Sequence, residues 1–258
     1  GIAERRWAEP DETVVDMAEA AASKAIAASG ITTAELDLVL VATCTMPTPV
    51  PAAAPNLAAR LGIDAPGAFD VNSGCSGFVY ALNVASAAVL TGQARNVLVV
   101  ASERFSGWLD MSDRSTCIIL GDAAGAAIIG PSERTGLGPV VWGSDGAQTD
   151  TVAIDERTRT FRQEGQAVYR WATSTMAPIA LEACRRAGVE PSELAAFVPH
   201  QANLRIIDAI AKRLGVPDAL VARDIVTSGN TSAATIPLAL SRMVERGEIA
   251  SGAPVLLL

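Results

Sequence analysis

Apolar positions along the chain fall into two alternating spacings. Residues 13–29 (TVVDMAEAAASKAIAAS) repeat apolar side chains at the period of a helix face and stop at Gly30. The run LDLVLVAT at 36–43 is short, continuous and of strand length. A proline-rich loop is predicted over 47–55, followed by a helix to about 61, a strand over 68–72 and a long helix over 76–91. Strands are predicted over 96–101, 117–120 and 123–129. Runs such as VLVVA and AAGAAIIG are uninterrupted rather than alternating, which suits strands covered on both faces. The class is α/β.

The scheme then recurs. MAPIALEACRRAG followed by VEPSELAAFVPH (176–200) echoes MAEAAASKAIAASG followed by ITTAELDLVLVA (17–42). With Gly30 set on Gly188, Glu35 and Leu36 fall on Glu193 and Leu194, and one strand begins after each. Further along, FDVNSGC before an Ala-rich helix parallels RDIVTSGN before the helix predicted over 236–246. A helix, a glycine and a strand in succession are also generic to α/β folds, so the echo points to a duplicated unit without proving it. The two halves are 1–150 and 151–258, and the polar stretch 145–165 between them reads as an excursion or linker.

Composition narrows the function. A chain of 258 residues can bury a substantial core, and its formal charge of -8 argues against a general nucleic-acid binder. No apolar run approaches the roughly 20 residues that span a bilayer. The start, GIAERRWAEPDETVVDM, has no apolar signal core, and the four scattered cysteines form no disulfide framework. A soluble, cytoplasmic protein without membrane or nucleic-acid partners is expected. With one histidine and no Cys-x-x-Cys, P-loop or Gly-x-Gly-x-x-Gly motif, no metal site is expected.

Three residues stand out chemically. Cys75, in DVNSGCSGF, lies between a predicted strand and a predicted helix, a tight bend from which a side chain can project as a nucleophile. Proximity to a helix N-terminus favours its thiolate and predicts a lowered pKa. Cys44, Cys117 and Cys184 have ordinary strand or helix neighbours and read as small buried hydrophobes. His200 ends the strand ELAAFVPH, at the carboxyl edge where α/β folds place their sites. By itself it reads equally as a structural histidine, and Asn230, in TSGNTSAAT, as a helix N-cap.

DVNSGCSGF, DRSTCIILGDAAGAAI, EGQAVYRWA, FVPHQANLRIID and SGNTSAATIPLAL, in this order over nearly the whole chain, resemble the ketosynthase III family of decarboxylating condensing enzymes. The resemblance implies a thiolase-like fold, two pseudo-repeated α/β/α halves in αβαβα layers, and usually a homodimer. It implies a triad of Cys75, His200 and Asn230, with acyl-CoA and a malonyl-acyl carrier protein as substrates and no cofactor. It also suggests Arg114, Leu120, Ala202 and Asn203 for substrate and CoA binding, and Arg205, Lys212 and Arg213 for the acidic carrier protein. Arg114 reads equally as a surface ion-pair partner of Asp110 or Asp113, and Lys212 and Arg213 as a solvated helix face. Two other functions stay open, acyl transfer from Cys75 to an alcohol or amine and a non-catalytic scaffold subunit. Retention of both His200 and Asn230 favours condensation, and retention of Cys75 disfavours the scaffold. The family also carries a strand and a Trp-bearing segment before the position of Gly1, a longer 145–163 stretch, and a glycine-rich loop after Leu258 that completes an oxyanion hole. The sequence is therefore expected to be either ordered segments of a longer chain joined together or a truncated, inactive protein, and the first is favoured because removing central strands would leave unpaired edges and an open core.

Overall fold

A computed structural model describes residues 1–216 and 219–258. The first helix, α1 (Val14–Ser29), begins where Thr13 accepts from Asp16 N while the Asp16 carboxylate accepts from Thr13 N. These bonds and Arg60 hold the Asp16 carboxyl at about 2. Val14, Val15, Ala18 and Ala22 form its buried stripe, and Gly30 ends it at φ 75°. The chain then forms β1 (Leu38–Ala42), α2 (Ala53–Arg60), β2 (Gly67–Val71), α3 (Gly77–Leu90), β3 (Val97–Arg104) and β4 (Asp122–Ile129). The sheet order is β2-β1-β3-β4, parallel except for β4.

After a 3-10 turn (Gly146–Thr151), the hairpin β5 (Val152–Ile154) and β6 (Phe161–Gln163) leads to α4 (Gly165–Ala187) and β7 (Ala196–Val198). Of the two readings of 145–165, excursion or linker, the structure shows the excursion, a 3-10 turn and an antiparallel hairpin. The remaining elements are α5 (Leu204–Leu214), β8 (Leu220–Val221), α6 (Ile225–Ser228), α7 (Thr235–Glu245) and β9 (Val255–Leu257). The second sheet, β8-β7-β9, is parallel.

The duplication extends to backbone detail. Gly188 ends α4 at φ 66°, and the 3-10 turns Thr33–Glu35 and Pro191–Glu193 follow the two glycines with matching reciprocal caps. The strands β1 and β7 begin at corresponding places.

Burial sorts the elements into five layers. Val39, Val41, Leu98 and Val100 face α1 and α2, while Leu40, Ala42, Val97 and Val99 face α3 and α7. Ala196 and Val198 of the second sheet close over that same middle helix layer, and Phe197 and Leu256 turn outward to α4 and α5. Alternating side chains of one strand therefore reach two different cores. Each large buried side chain contributes about 1.5 to 3 kcal/mol, so the middle layer, shared by both halves, ties them into one unit. Among the described residues, no helix is long and apolar enough to cross a membrane.

Four sequence expectations shift. The loop over 47–55 ends at Ala52, because Pro55 sits in the first turn of α2, where a missing N–H costs nothing, and Asp70 accepts from Ala53 N and Ala54 N at 2.8 Å each. Residues 117–120 are not a strand. Asp110 and Asp113 accept from nearby Ser and Thr groups, drawing the segment into turns, and only Leu120 makes a bridge, to Asn230. The helix α4 starts well before 176, since its first turns leave Tyr169 and Trp171 exposed and so lack an apolar stripe. Finally, β3 runs past Ala101 through Ser102 and Glu103, both polar and wholly buried.

Candidate active site

Two turns of the same build carry two of the three expected residues. Ser73-Gly74-Cys75 follows β2, and Ser228-Gly229-Asn230 stands at the end of α6, a single helical turn. Both glycines take positive φ, 56° at Gly74 and 71° at Gly229, a conformation that costs other residues energy. At Gly229 an added Cβ would also lie 2.9 Å from the Ile119 carbonyl oxygen. Cys75 stands on the 3-10 turn Gly74–Ser76 that leads into α3.

Ser232, buried at 1% exposure and itself at φ 52°, is the centre of the site. Its hydroxyl lies 3.6 Å from the Cys75 Sγ. Its backbone N–H donates to the Asn230 Oδ1 at 2.9 Å, so the Asn230 amide is oriented with Nδ2 free of protein partners among the described residues. Its carbonyl accepts from the Thr235 hydroxyl at 2.9 Å, and that hydroxyl lies 2.7 Å from the His200 Nδ1. Cys75, Asn230 and His200, far apart in sequence, are thus all tied to one turn between β8 and α7.

His200 is positioned by its neighbours. Its backbone N donates to Leu258 O, and buried Gln201 donates to Pro199 O and Ala222 O while accepting from Ile225 N. Gln201 therefore locks the bend after β7 against the turn that leads to Asn230. Burial pushes the His200 imidazole down to about 4, so the ring is neutral at pH 7.

The nucleophile expectation needs one correction. Burial pushes the Cys75 thiol up to about 11, the reverse of the lowering expected from the helix N-terminus, and nearby Glu103 adds to the rise while Ser232 opposes it. Desolvation is the largest cause and outweighs the lowering by the Ser232 hydroxyl and the backbone.

Beneath Cys75 lies a polar nest that the sequence reading missed. Glu103, at 0% exposure, accepts from the hydroxyls of Thr43 (3.1 Å) and Thr45 (2.6 Å), from Cys44 N (3.1 Å), from Cys44 Sγ (3.3 Å) and from Ser232 Oγ (3.0 Å). Cys44 is thus no ordinary strand cysteine. Burial and the Glu103 carboxylate push its thiol far up. Cys117 and Cys184 are buried as expected. A glutamate closing the apolar run VLVVAS was the signal available in the sequence.

The other expected residues lie in varied settings. Leu120, 2% exposed, packs with Phe105 and Phe161 in a small apolar cluster bordered by Cys44, and bridges to Asn230. Arg114 is exposed, and among the described residues it forms no ion pair with Asp110 or Asp113. Ala202 is half-buried, while Asn203 caps α5, its Oδ1 accepting from Arg205 N at 2.9 Å. Arg205 and Lys212 are exposed on α5, but Arg213 donates to the Thr173 carbonyl of α4, which makes it a tether between two helices. Arg223 pairs with Asp208 at 2.6 Å beside Lys212.

Comparison with known proteins agrees with this architecture. The family model for 3-oxoacyl-[acyl-carrier-protein] synthase III matches residues 69–146, and the model of its C-terminal part matches 184–258. A beta-ketoacyl-[acyl-carrier-protein] synthase III of Streptomyces coelicolor is 51% identical over 260 residues, covering 100% of this chain and 82% of that protein. A mycobacterial counterpart from Mycobacterium avium is 44% identical over 270 residues, covering 100% and 81%. Among solved structures, the priming β-ketosynthase of the R1128 polyketide pathway superposes with a TM-score of 0.95 at 43% identity, covering 98% of this chain and 79% of that one. The Aquifex aeolicus 3-oxoacyl-[acyl-carrier-protein] synthase III gives 0.94 at 36% identity, covering 100% and 83%. With its five-layer thiolase-like fold and both family models matched, the chain belongs to the beta-ketoacyl-[acyl-carrier-protein] synthase III family of acyltransferases.

Proposed function

We propose that this enzyme joins an acyl-CoA starter to malonyl-acyl carrier protein with loss of CO2, beginning a fatty-acid or polyketide chain, and that Cys75, His200 and Asn230 carry the reaction. The observation that bears most weight is the shared anchoring of these three residues on Ser232 and Thr235. Cys75 attacks the acyl thioester and releases CoA. Malonyl on its carrier then loses CO2, and the enolate oxygen that forms takes hydrogen bonds from Asn230 Nδ2 and His200 Nε2. The resulting carbanion attacks the acyl group on Cys75.

A neutral His200 can donate from Nε2 only if Nδ1 is an acceptor. The single Thr235 hydrogen then points to Nδ1 rather than to the Ser232 carbonyl, a rotation between two acceptors at 2.7 and 2.9 Å. Thr235 can serve either tautomer, and the donor role assigned to Nε2 requires the orientation toward Nδ1. The reaction draws on no cofactor in this scheme, because the thiol, the imidazole and the amide supply every role.

Substrate contacts are assigned by the same reading. Leu120 bounds the acyl end, Arg114 meets the CoA phosphates or base, and Ala202 and Asn203 line the approach beside His200. Arg205 and Lys212 receive the acidic carrier protein, with Arg213 holding α5 in place. Strand β2 is an edge of its sheet, with Phe69 45% exposed, and is the surface we assign to a second copy of the chain. Free thiols and the absence of a membrane-length helix among the described residues support a cytoplasmic setting.

Intact-mass measurement after mixing the protein with a panel of acyl-CoAs tests the central claim. A single acyl adduct is expected on the wild type and none on Cys75→Ala. An adduct that persists in Cys75→Ala removes the assignment. Normal acylation without CO2 release from malonyl-carrier protein points to acyl transfer onto an alcohol or amine.

A further inference from the structure

The Cys75 thiol must lose its proton as the S–C bond forms, and the residue is half-buried, so its exposed part is left to the incoming substrate. The inner side offers a route. The Ser232 hydroxyl touches both the Cys75 Sγ at 3.6 Å and the Glu103 Oε1 at 3.0 Å. We propose that Ser232 and Glu103 form an inward proton relay, which takes the Cys75 proton when the acyl group is loaded and returns it when the product leaves. The proposal rests on Cys75 as the acyl carrier and adds a component to that chemistry.

The hydrogen-bond pattern around Glu103 carries it. Five donors converge on the two carboxylate oxygens, and an ionised carboxylate, which only accepts, satisfies all of them. In that state Ser232 gives its hydrogen to Glu103, leaving its oxygen lone pair for the Cys75 S–H. After transfer, the Glu103 O–H donates to Ser232, and the hydrogen now on Ser232 points at the thiolate. Both states are satisfied with no heavy atom moved. No cation pairs with Glu103 among the described residues, and burial raises its carboxyl above the ordinary range, which suits a group that must hold a proton for part of a cycle. The titratable groups that face it are Cys44, from the segment after β1, and Cys75 itself.

The steps balance. In loading, the Cys75 S–H and Ser232 O–H bonds break, new O–H bonds form on Ser232 and Glu103, and the acyl C–S bond moves from CoA to Cys75. CoA leaves as its thiolate and takes a proton from solvent. In condensation, the carbanion takes the acyl carbon, Cys75 departs as a thiolate, and the Glu103 proton returns to it through Ser232. Glu103 acts on Cys75 only through Ser232 and is in that sense a positioning residue.

The test compares wild type, Glu103→Gln and Ser232→Ala in single-turnover acylation by acyl-CoA and in alkylation of Cys75 by iodoacetamide, each from pH 6 to 9. Both variants are expected to acylate about 100-fold more slowly at pH 7, in the range typical of a lost general base, with rates that climb steeply with pH where the wild type is flatter. Alkylation separates the relay from simple electrostatics. If Glu103 only repels the thiolate, Glu103→Gln alkylates faster than wild type; the relay requires it to be slower. Alkylation by Glu103→Gln at or above the wild-type rate, or a wild-type pH profile in Ser232→Ala, overturns the proposal. Should Glu103→Gln fail to fold, judged by its melting curve, Ser232→Ala decides alone. Alkylation needs no acyl-CoA, so a wild type that forms no acyl adduct counts against the carrier role of Cys75, and the relay is still judged separately.

Discussion

The turns Ser73-Gly74-Cys75 and Ser228-Gly229-Asn230 share a sequence pattern and a left-handed glycine, yet their surroundings differ. Behind Cys75 the ends of β1 and β3 supply Thr43, Thr45 and Glu103, a buried polar nest. Around Asn230 the contacts are with backbone: the Ser232 N–H on its side chain, and the Ile119 and Gly121 main chain on its own N–H and carbonyl. One copy of the turn has been given ionisable neighbours and the other a rigid frame. The difference suits the roles assigned to them, since a nucleophile must exchange a proton whereas an amide donor needs only to be aimed.

The sharpest way to break this comparison is to remove the donors. Asn230→Ala and His200→Ala are each expected to slow CO2 release from malonyl-carrier protein roughly 100-fold or more while leaving acylation of Cys75 nearly intact. Loss of acylation in parallel would mean that the two turns do not divide the labour. Next in size is the frame itself. Gly229→Ala combines left-handed backbone with a clash against Ile119 O, and should destabilise by more than the roughly 1 to 2 kcal/mol expected for Gly74→Ala, where the added Cβ meets open space. Equal losses in urea titrations would show the two turns to be equally free.

Acid should act through His200. Its folded value of about 4 lies below the ordinary 6.5, so the unfolded chain binds the proton first and stability falls as pH drops from about 6.5 toward 4. The loss is up to about 3 kcal/mol. His200→Asn is expected to flatten that part of the curve, measured as unfolding midpoint against pH. A smaller effect is expected of Thr235→Val, which removes the hydrogen bond to His200 Nδ1 and should slow CO2 release about tenfold with acylation unchanged, an amount typical of one lost neutral hydrogen bond.

Much of this could be read in the chain. The cap at Thr13, the stop at Gly30 and its echo at Gly188 are local, set by side chains within four residues, and so their elements lie close to where the pattern put them. The motifs around Cys75, His200 and Asn230 identified the family that the comparisons show. Glu103 escaped because its polarity ended a predicted strand at Ala101, and only long-range partners from residues 43–45 and 232 explain how a carboxylate continues that strand in full burial. Residues 117–120 misled in the opposite way, an apolar run whose neighbouring aspartates turn the backbone.

By itself the sequence determined the α/β class, the repeated halves, the family and the identity of three candidate residues, because these follow from periodicity, turn chemistry and motif. Only the tertiary structure decided the state of those residues. Whether the Cys75 thiol is pushed up or down depends on desolvation against the hydrogen bonds that favour its thiolate, opposing effects whose sizes are set by what packs around the sulfur. That surrounding is assembled from both halves, with Ser232 reaching across from the second to Cys75 and Glu103 of the first, and no local pattern records a contact made over that distance.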